Sequence, residues 1–313
     1  MTYSSGGTIE ASDYNGFAGG TAANVSGQLN TVLSTGRGNA GYGQTAVSNV
    51  TAVTNDVTAT QWTTLINGVD KVRKHQSGAG YSNLTAYTSG QVINVTNNIS
   101  AALTTAYTSR FSYAAQGATT TGATYSPNFT LTNQLPGTTY TTARTATFAS
   151  GDAARYFFNA GGQLNFVINS VTNNDGTTRS ASLATLAATN FLSKRLGAMD
   201  CTAETGTGGT VNTDLTTNAG YYSLTTSPVL KTQITSTTAT YTSDLLQFYA
   251  FSNGVQGANE DDGSVVTLRL DLVSGTQTGG FNDSINITVN YRVDIIYPSS
   301  TFLAASWGTV TIA

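Results

Sequence analysis

Cysteine, charge, histidine and long apolar runs are all scarce in this chain, and each shortage removes a class of protein from consideration. One Cys, Cys201, among 313 residues excludes a disulfide within the chain and a four-ligand cysteine zinc site. A chain of that length buries its own core without such staples. Charged residues make up 9%, against about 25% in ordinary soluble proteins. With a net charge of −3 there is no electrostatic footprint for nucleic acid, so no nucleic-acid partner is expected. No apolar run reaches the ~18 residues of a membrane span. The start MTYSSGGTIEASDYN lacks a basic segment followed by an apolar one, so synthesis in a cytoplasm without membrane insertion is the expectation.

What replaces the missing charge is Thr, Ser, Asn and Gly. A surface of hydroxyls and amides bonds well and is weakly repelled by copies of itself, which suits an assembly subunit. Eight N-x-S/T triplets occur, at Asn24, Asn49, Asn83, Asn94, Asn98, Asn128, Asn282 and Asn286. In a chain so rich in these residues they are read as products of composition, since no secretory leader precedes them.

The apolar spacing changes along the chain. Tyr14, Phe17, Thr21, Val25, Gln28, Leu29 and Val32 recur at three and four, predicting a glycine-weakened helix from an N-cap at Ser12 to Gly36. Thr58 or Thr60 can cap a stronger helix with Trp62, Leu65, Ile66, Val69 and Val72 on one stripe, ending near Gly78. A third is predicted from Gly90 to Tyr107 through Val92, Val95, Ile99 and Leu103. Residues 1–110 thus read as a small helical module, and residues 111–142, rich in Thr, Gly and Ala, as a linker or long loop.

From there the period is two. Residues 284–296 read SINITVNYRVDII: Ile285, Ile287, Val289, Tyr291, Val293 and Ile295 alternate with Ser284, Asn286, Thr288, Asn290, Arg292 and Asp294. One face is core; the other meets solvent or a partner. Leu164, Phe166 and Ile168 alternate after the turn 159–162, and Val266, Leu268, Leu270 and Leu272 alternate with Thr267, Arg269, Asp271 and Val273. Further strands are predicted near 145–149, 155–158, 221–226, 228–236, 245–252 and 306–312, with one inserted helix from Thr178 or Ser180 to Gly197. The fold class is α+β: a helical module followed by a mainly antiparallel β-sandwich over residues 143–313.

Few constellations carry chemistry. His75 stands beside Lys71, Arg73 and Lys74 at a helix C-terminus, where the helix dipole favours cations. Glu260, Asp261 and Asp262 precede Gly263. They are the one weak candidate for a metal, as hard oxygen ligands, or for glycoside hydrolysis, and the plainer reading is a solvated hairpin tip. Cys201 reads as a small buried thiol. No GxSxG, phosphate loop, HExxH or CxxC is present, so no catalytic residue, no cofactor and no enzymatic activity is expected.

Several stretches together resemble virion structural proteins of tailed bacteriophages, particularly T4-like phages of marine cyanobacteria. They are GTIEASDYN (Gly7–Asn15), VLSTGRGNAGYGQ (Val32–Gln44), Thr60-Gln61-Trp62 with His75-Gln76, ARYFFNAGGQLNFVIN (Ala154–Asn169), and SINITVNYRVDIIYPSSTFLAASWGTVTI. The resemblance implies a virion component that works by assembly: a tail, neck or fibre-type appendage whose helical part attaches and whose sandwich projects, or alternatively a capsid decoration protein. The expected partners are other virion proteins and copies of the chain, with a trimer as first guess and a host surface glycan as a further partner. A carbohydrate-binding or glycan-cleaving receptor module is the alternative from another class.

Overall fold

The computed structural model describes residues 10–51, 57–82, 84, 86, 88, 96–124, 129–134, 137–203, 210–213, 220–256, 263–276 and 283–313. Among them are six α-helices: α1 (Ala11–Ala18), α2 (Leu29–Leu33), α3 (Ala59–Ser77), α4 (Thr96–Thr108), α5 (Gly151–Asn159) and α6 (Thr178–Thr185). Two antiparallel sheets face each other, as a β-sandwich requires. In the first, β11 (Ile285–Pro298) is followed by β4 (Gln163–Asn173), β5 (Ser193–Leu196) and β6 (Cys201–Ala203), while β1 (Gln116–Thr120) and β2 (Phe129–Gln134) share the other edge of β11. The second runs β12 (Thr311–Ile312), β3 (Thr139–Thr147), β10 (Val265–Val273), β9 (Leu245–Ser252), β8 (Val229–Thr235) and β7 (Thr210–Thr213). Phe166 of the first sheet meets Phe248 of the second at 5.5 Å between ring centres, and Phe166 stacks on Tyr291 at 5.4 Å.

The alternation on β11 becomes burial. Ile285, Ile287, Val289, Tyr291, Val293 and Ile295 are all buried, and the polar residues between them are half-buried, except Asp294, which is buried too. In β4 the inward set changes phase. Ile168 pairs with Tyr291 but Ser170 pairs with Asn290, so Asn169 is the extra residue of a bulge that re-aims the strand.

Helix α3 ends where its capping residues place it. Thr58 accepts a hydrogen bond from the Gln61 amide at 3.3 Å, Gln61 accepts one from the Thr58 amide at 2.8 Å, and Gly78 closes the helix in the left-handed region. The first helical segment departs from expectation. It starts at Ala11 with Glu10 at the cap and Ser12 inside its first turn, and it stops at Gly19, whose φ of +75° leaves α2 as a separate short piece. A β-carbon on Gly19 would stand 2.5 Å from the Gln28 side chain, so the break is held by packing as well as by φ. Of the third helix, residues 96–108 are found, and the expected beginning at 90–95 lies outside the described residues.

Five further corrections concern the sandwich. Residues 111–142 are not a linker: they supply β1, β2 and the start of β3, because β10 and β11 need partners on those edges. Residues 155–158 form a helix, not a strand. Ser150 caps α5 by accepting from the Ala153 amide at 3.0 Å, and Phe157 and Phe158 pack edge-to-face at 5.1 Å with burial on both sides. The predicted strand at 221–226 is a short 3-10 turn, Tyr221–Ser223, and that at 306–312 retains only Thr311–Ile312. The inserted helix does not run to Gly197. It loosens into a π-turn over Leu186–Phe191, passes Leu192 at φ +49°, and the chain re-enters the first sheet as β5.

Helices and sandwich share one contiguous buried cluster, from Tyr14 and Trp62 through Phe157 and Phe248 to Trp307. Polar staples cross the same boundary. Arg155 donates to the Ala40 carbonyl at 2.6 Å, Asn159 to that of Gly41 at 2.9 Å, and Gln44 both donates to and accepts from the Ala304 backbone at 2.9 and 2.7 Å. Ser306 donates to the Tyr42 carbonyl at 2.6 Å. The three stretches 32–44, 154–162 and 298–308, far apart in the chain, therefore meet at one junction.

Candidate functional site

The outer face of the first sheet is built by β11, β4 and β5, with Thr130 of β2 and the segment after β1 at its margin. At one end Asn174 donates to Asn286 Oδ1 at 3.1 Å and to Thr288 Oγ1 at 3.0 Å, and Thr130 and Thr288 share a hydrogen bond at 3.4 Å. Next along, Asn290 donates to Ser170 at 2.9 Å. Arg292 then donates from Nε to Asp294 Oδ1 at 2.8 Å and from Nη1 to Asn169, the bulge residue. Asp294 also accepts from the Gly122 amide at 2.9 Å. Cross-strand pairs of amides, hydroxyls and opposite charges are the unit that stabilises a sheet face, and here they run along its length.

Beyond the Arg292–Asp294 pair lies a depression of about 310 Å³ lined by Thr119, Asn165, Ser193, Arg195, Arg292 and Asp294. Strand register brings these together: Asp294 pairs with Asn165, and Asn165 with Arg195. Sequence reasoning identified Arg292 and Asp294 as strand charges but missed Asn165, Asn169 and Arg195. The interrupted phase of β4 was the only local signal for the bulge, and the pairing itself leaves none.

The outer face of the second sheet carries the same motif in a different setting. Arg269 binds Asp271 with both Nε, at 2.8 Å, and Nη2, at 2.5 Å. Its guanidinium lies 5.0 Å from the centre of the Tyr249 ring, and Tyr249 donates to Gln247, which donates to Gln233. Hydrogen bonding to Asp271 raises the Arg269 pKa further.

The remaining sequence candidates are dispersed. His75 is buried in the helical part, edge-on to Tyr42 at 5.3 Å, and burial pushes its pKa from 6.5 down to about 4. The basic residues beside it are engaged: Lys74 with Asp70 at 2.7 Å, Lys71 with Gln44 at 3.2 Å, Arg73 with Gln76 at 2.9 Å. Cys201 is buried, and burial pushes its thiol up to about 12, away from any nucleophilic role at neutral pH. Burial brings Lys231 down to about 8. Glu260, Asp261 and Asp262 lie outside the described residues. Among the described residues no group of three or more His, Cys, Asp or Glu converges on a metal position, and no helix is long and apolar enough to cross a membrane.

A cleft of about 410 Å³ separates the turn at Thr35–Gly38 from the start of α5. Its charged lining includes Arg155, which pairs with Asp152 and staples Ala40, so that guanidinium serves the junction between the chain's halves. Comparisons with protein families, with curated proteins and with solved structures found no match to this chain.

Proposed function

We propose that this protein is a non-enzymatic structural component of a tailed-phage virion, a tail, neck or fibre-type appendage, and that it assembles through the outer face of its first sheet. The observation that carries this reading is the hydrogen-bonded band from Asn174 and Asn286 to Arg292 and Asp294. Its groups are already paired laterally, so apposing it to another surface desolvates few unsatisfied groups, and repeated contacts compensate for weak individual ones. The low charge and the resemblance of five stretches to phage structural proteins support the same reading. Because helices and sandwich share a core, attachment and projection would be properties of one body.

Sedimentation of the purified chain at low and high ionic strength tests assembly. A homo-oligomer, with a trimer as the starting expectation, should persist on adding salt, since few ion pairs are there to be screened. A monomer under both conditions overturns self-association through this face. Mass spectrometry of purified particles tests position: a few to a few dozen copies fit a tail or neck part, and hundreds would point to capsid decoration instead.

A further inference from the structure

A pocket of about 170 Å³ lies where the chain leaving α4 passes the start of β4 and the turn between β5 and β6. Phe111 and Tyr113 form its half-buried aromatic wall, Met199 and the exposed Asp200 its rim, and Gln163 its buried floor. Gln163 Nε2 donates to the Tyr113 hydroxyl at 3.0 Å, while Gln163 Oε1 has no hydrogen-bond partner. A buried acceptor left unpaired is uncommon and costs free energy until a donor arrives. Gly197 matters for the rim. A β-carbon there would stand 2.6 Å from Asp200 Oδ1, so its absence leaves room for the carboxylate in this position over the turn.

The chemistry of this pocket is specific. Asp200 offers two acceptor oxygens, and the unpaired Gln163 Oε1 on the floor a third. Tyr113 accepts from Gln163 and keeps its own proton to donate. Acceptors beside aromatic rings suit either an ammonium group or a sugar, which brings several hydroxyl donors and an apolar C–H face. The Arg110 guanidinium decides between them. It lies 4.5 Å from the centre of the Phe111 ring, so a cation already stands beside this wall and a second would meet repulsion. Asp200 in turn opposes an anionic ligand. A neutral polyol remains, and the volume holds one ring, since pockets for larger ligands start at roughly 300 Å³.

We propose that this pocket binds a single neutral hexose ring, with Asp200 and Gln163 accepting from its hydroxyls and the Tyr113 ring against its C–H face. The site does not depend on the assembly reading, although copies in an assembly would add avidity. The test is saturation-transfer NMR of the full chain with methyl glycosides of glucose, galactose, mannose and N-acetylglucosamine, and with lysine methyl ester as the cationic control. At least one glycoside should bind with a dissociation constant on the order of 1 mM, as expected for one ring. Asp200→Ala, at an exposed position that leaves the melting temperature unchanged, should weaken binding at least tenfold, and Tyr113→Phe severalfold. Absence of binding by all four glycosides at tens of millimolar overturns the proposal. So does glycoside binding that Asp200→Ala leaves intact, or saturable binding of lysine methyl ester that the same substitution abolishes.

Discussion

Each sheet presents the same device at its centre, an arginine and an aspartate two residues apart on the outward face of a long strand. In β10 the guanidinium of Arg269 grips both oxygens of Asp271 and lies over Tyr249, so the pair is closed on itself. In β11 the corresponding Arg292 divides its donors between Asp294 and Asn169, Asp294 also receives the Gly122 amide, and the depression opens beside them. The aspartates are nearly equally buried, at 3% and 7% side-chain exposure. What differs is the neighbourhood. An aromatic neighbour closes one pair, whereas a bulge and a crossing segment spread the other into a network. The same two residues therefore close on themselves on one face and join a wider hydrogen-bonded network beside a depression on the other.

The largest test of this contrast acts on the two sides of one strand. Val289 is fully buried, and Val289→Asp places a carboxylate between the sheets. The expected loss is on the order of 5 kcal/mol, comparable to the whole stability of a domain. Asn290→Asp, one residue on, faces outward and should leave the melting temperature nearly unchanged; equal effects would invalidate the facing of β11.

The next sets the helical part against both sheets through pH. His75 is the chain's only histidine, and its pKa in the fold is about 4 against 6.5 when exposed. The unfolded chain therefore takes up a proton that the fold refuses. Stability contributed by neutral His75 is complete above pH 6.5 and declines as pH falls, and the decline levels off near pH 4. The total is roughly 3 kcal/mol. Denaturant midpoints across this range measure it, and His75→Phe should remove that component of the slope.

Smaller effects separate the two arginine–aspartate pairs. Asp271→Ala and Asp294→Ala should each cost about 1–3 kcal/mol, the usual consequence of leaving a partner unpaired. Only Asp294→Ala should also change the sedimentation coefficient, since only that pair belongs to the proposed assembly face. If Asp271→Ala dissociates the oligomer instead, the two faces have been assigned the wrong way round. The smallest expected change in stability is that of Asn290→Arg. It removes the bond to Ser170 and adds an unpaired cation to the first face, with little effect on melting but separation of copies in the ultracentrifuge.

The elements that were legible in advance are those whose signals are complete within a few residues. The start of α3 needs only Thr58 and Gln61, its end only Gly78, and its buried side only the spacing of Trp62, Leu65, Ile66, Val69 and Val72. The aromatic run Tyr156-Phe157-Phe158 misled because aromatics favour strands where one face is covered. Here Ser150 caps a helix whose neighbouring Phe157 and Phe158 are both buried. Residues 111–142 read as a linker or long loop because Thr, Gly and Ala carry little apolar pattern, and their strands exist only because β10 and β11 pair with them.

By itself, then, the sequence determined which face of β11 is core, where α3 begins and ends, and that no disulfide within the chain is possible with a single Cys. Each of these depends on contacts along one helix or strand, or on a residue count, and so is independent of where distant segments go. Only the tertiary structure decided that Gly122 caps Asp294 across 172 positions, that Asn165 and Arg195 flank the same depression, and that Tyr113 reaches Gln163 to wall a pocket. Those neighbours are brought together by strand register and by the chain's crossing of sheet edges. Register is set by the burial of the whole inner face at once, so no short stretch of sequence can specify it.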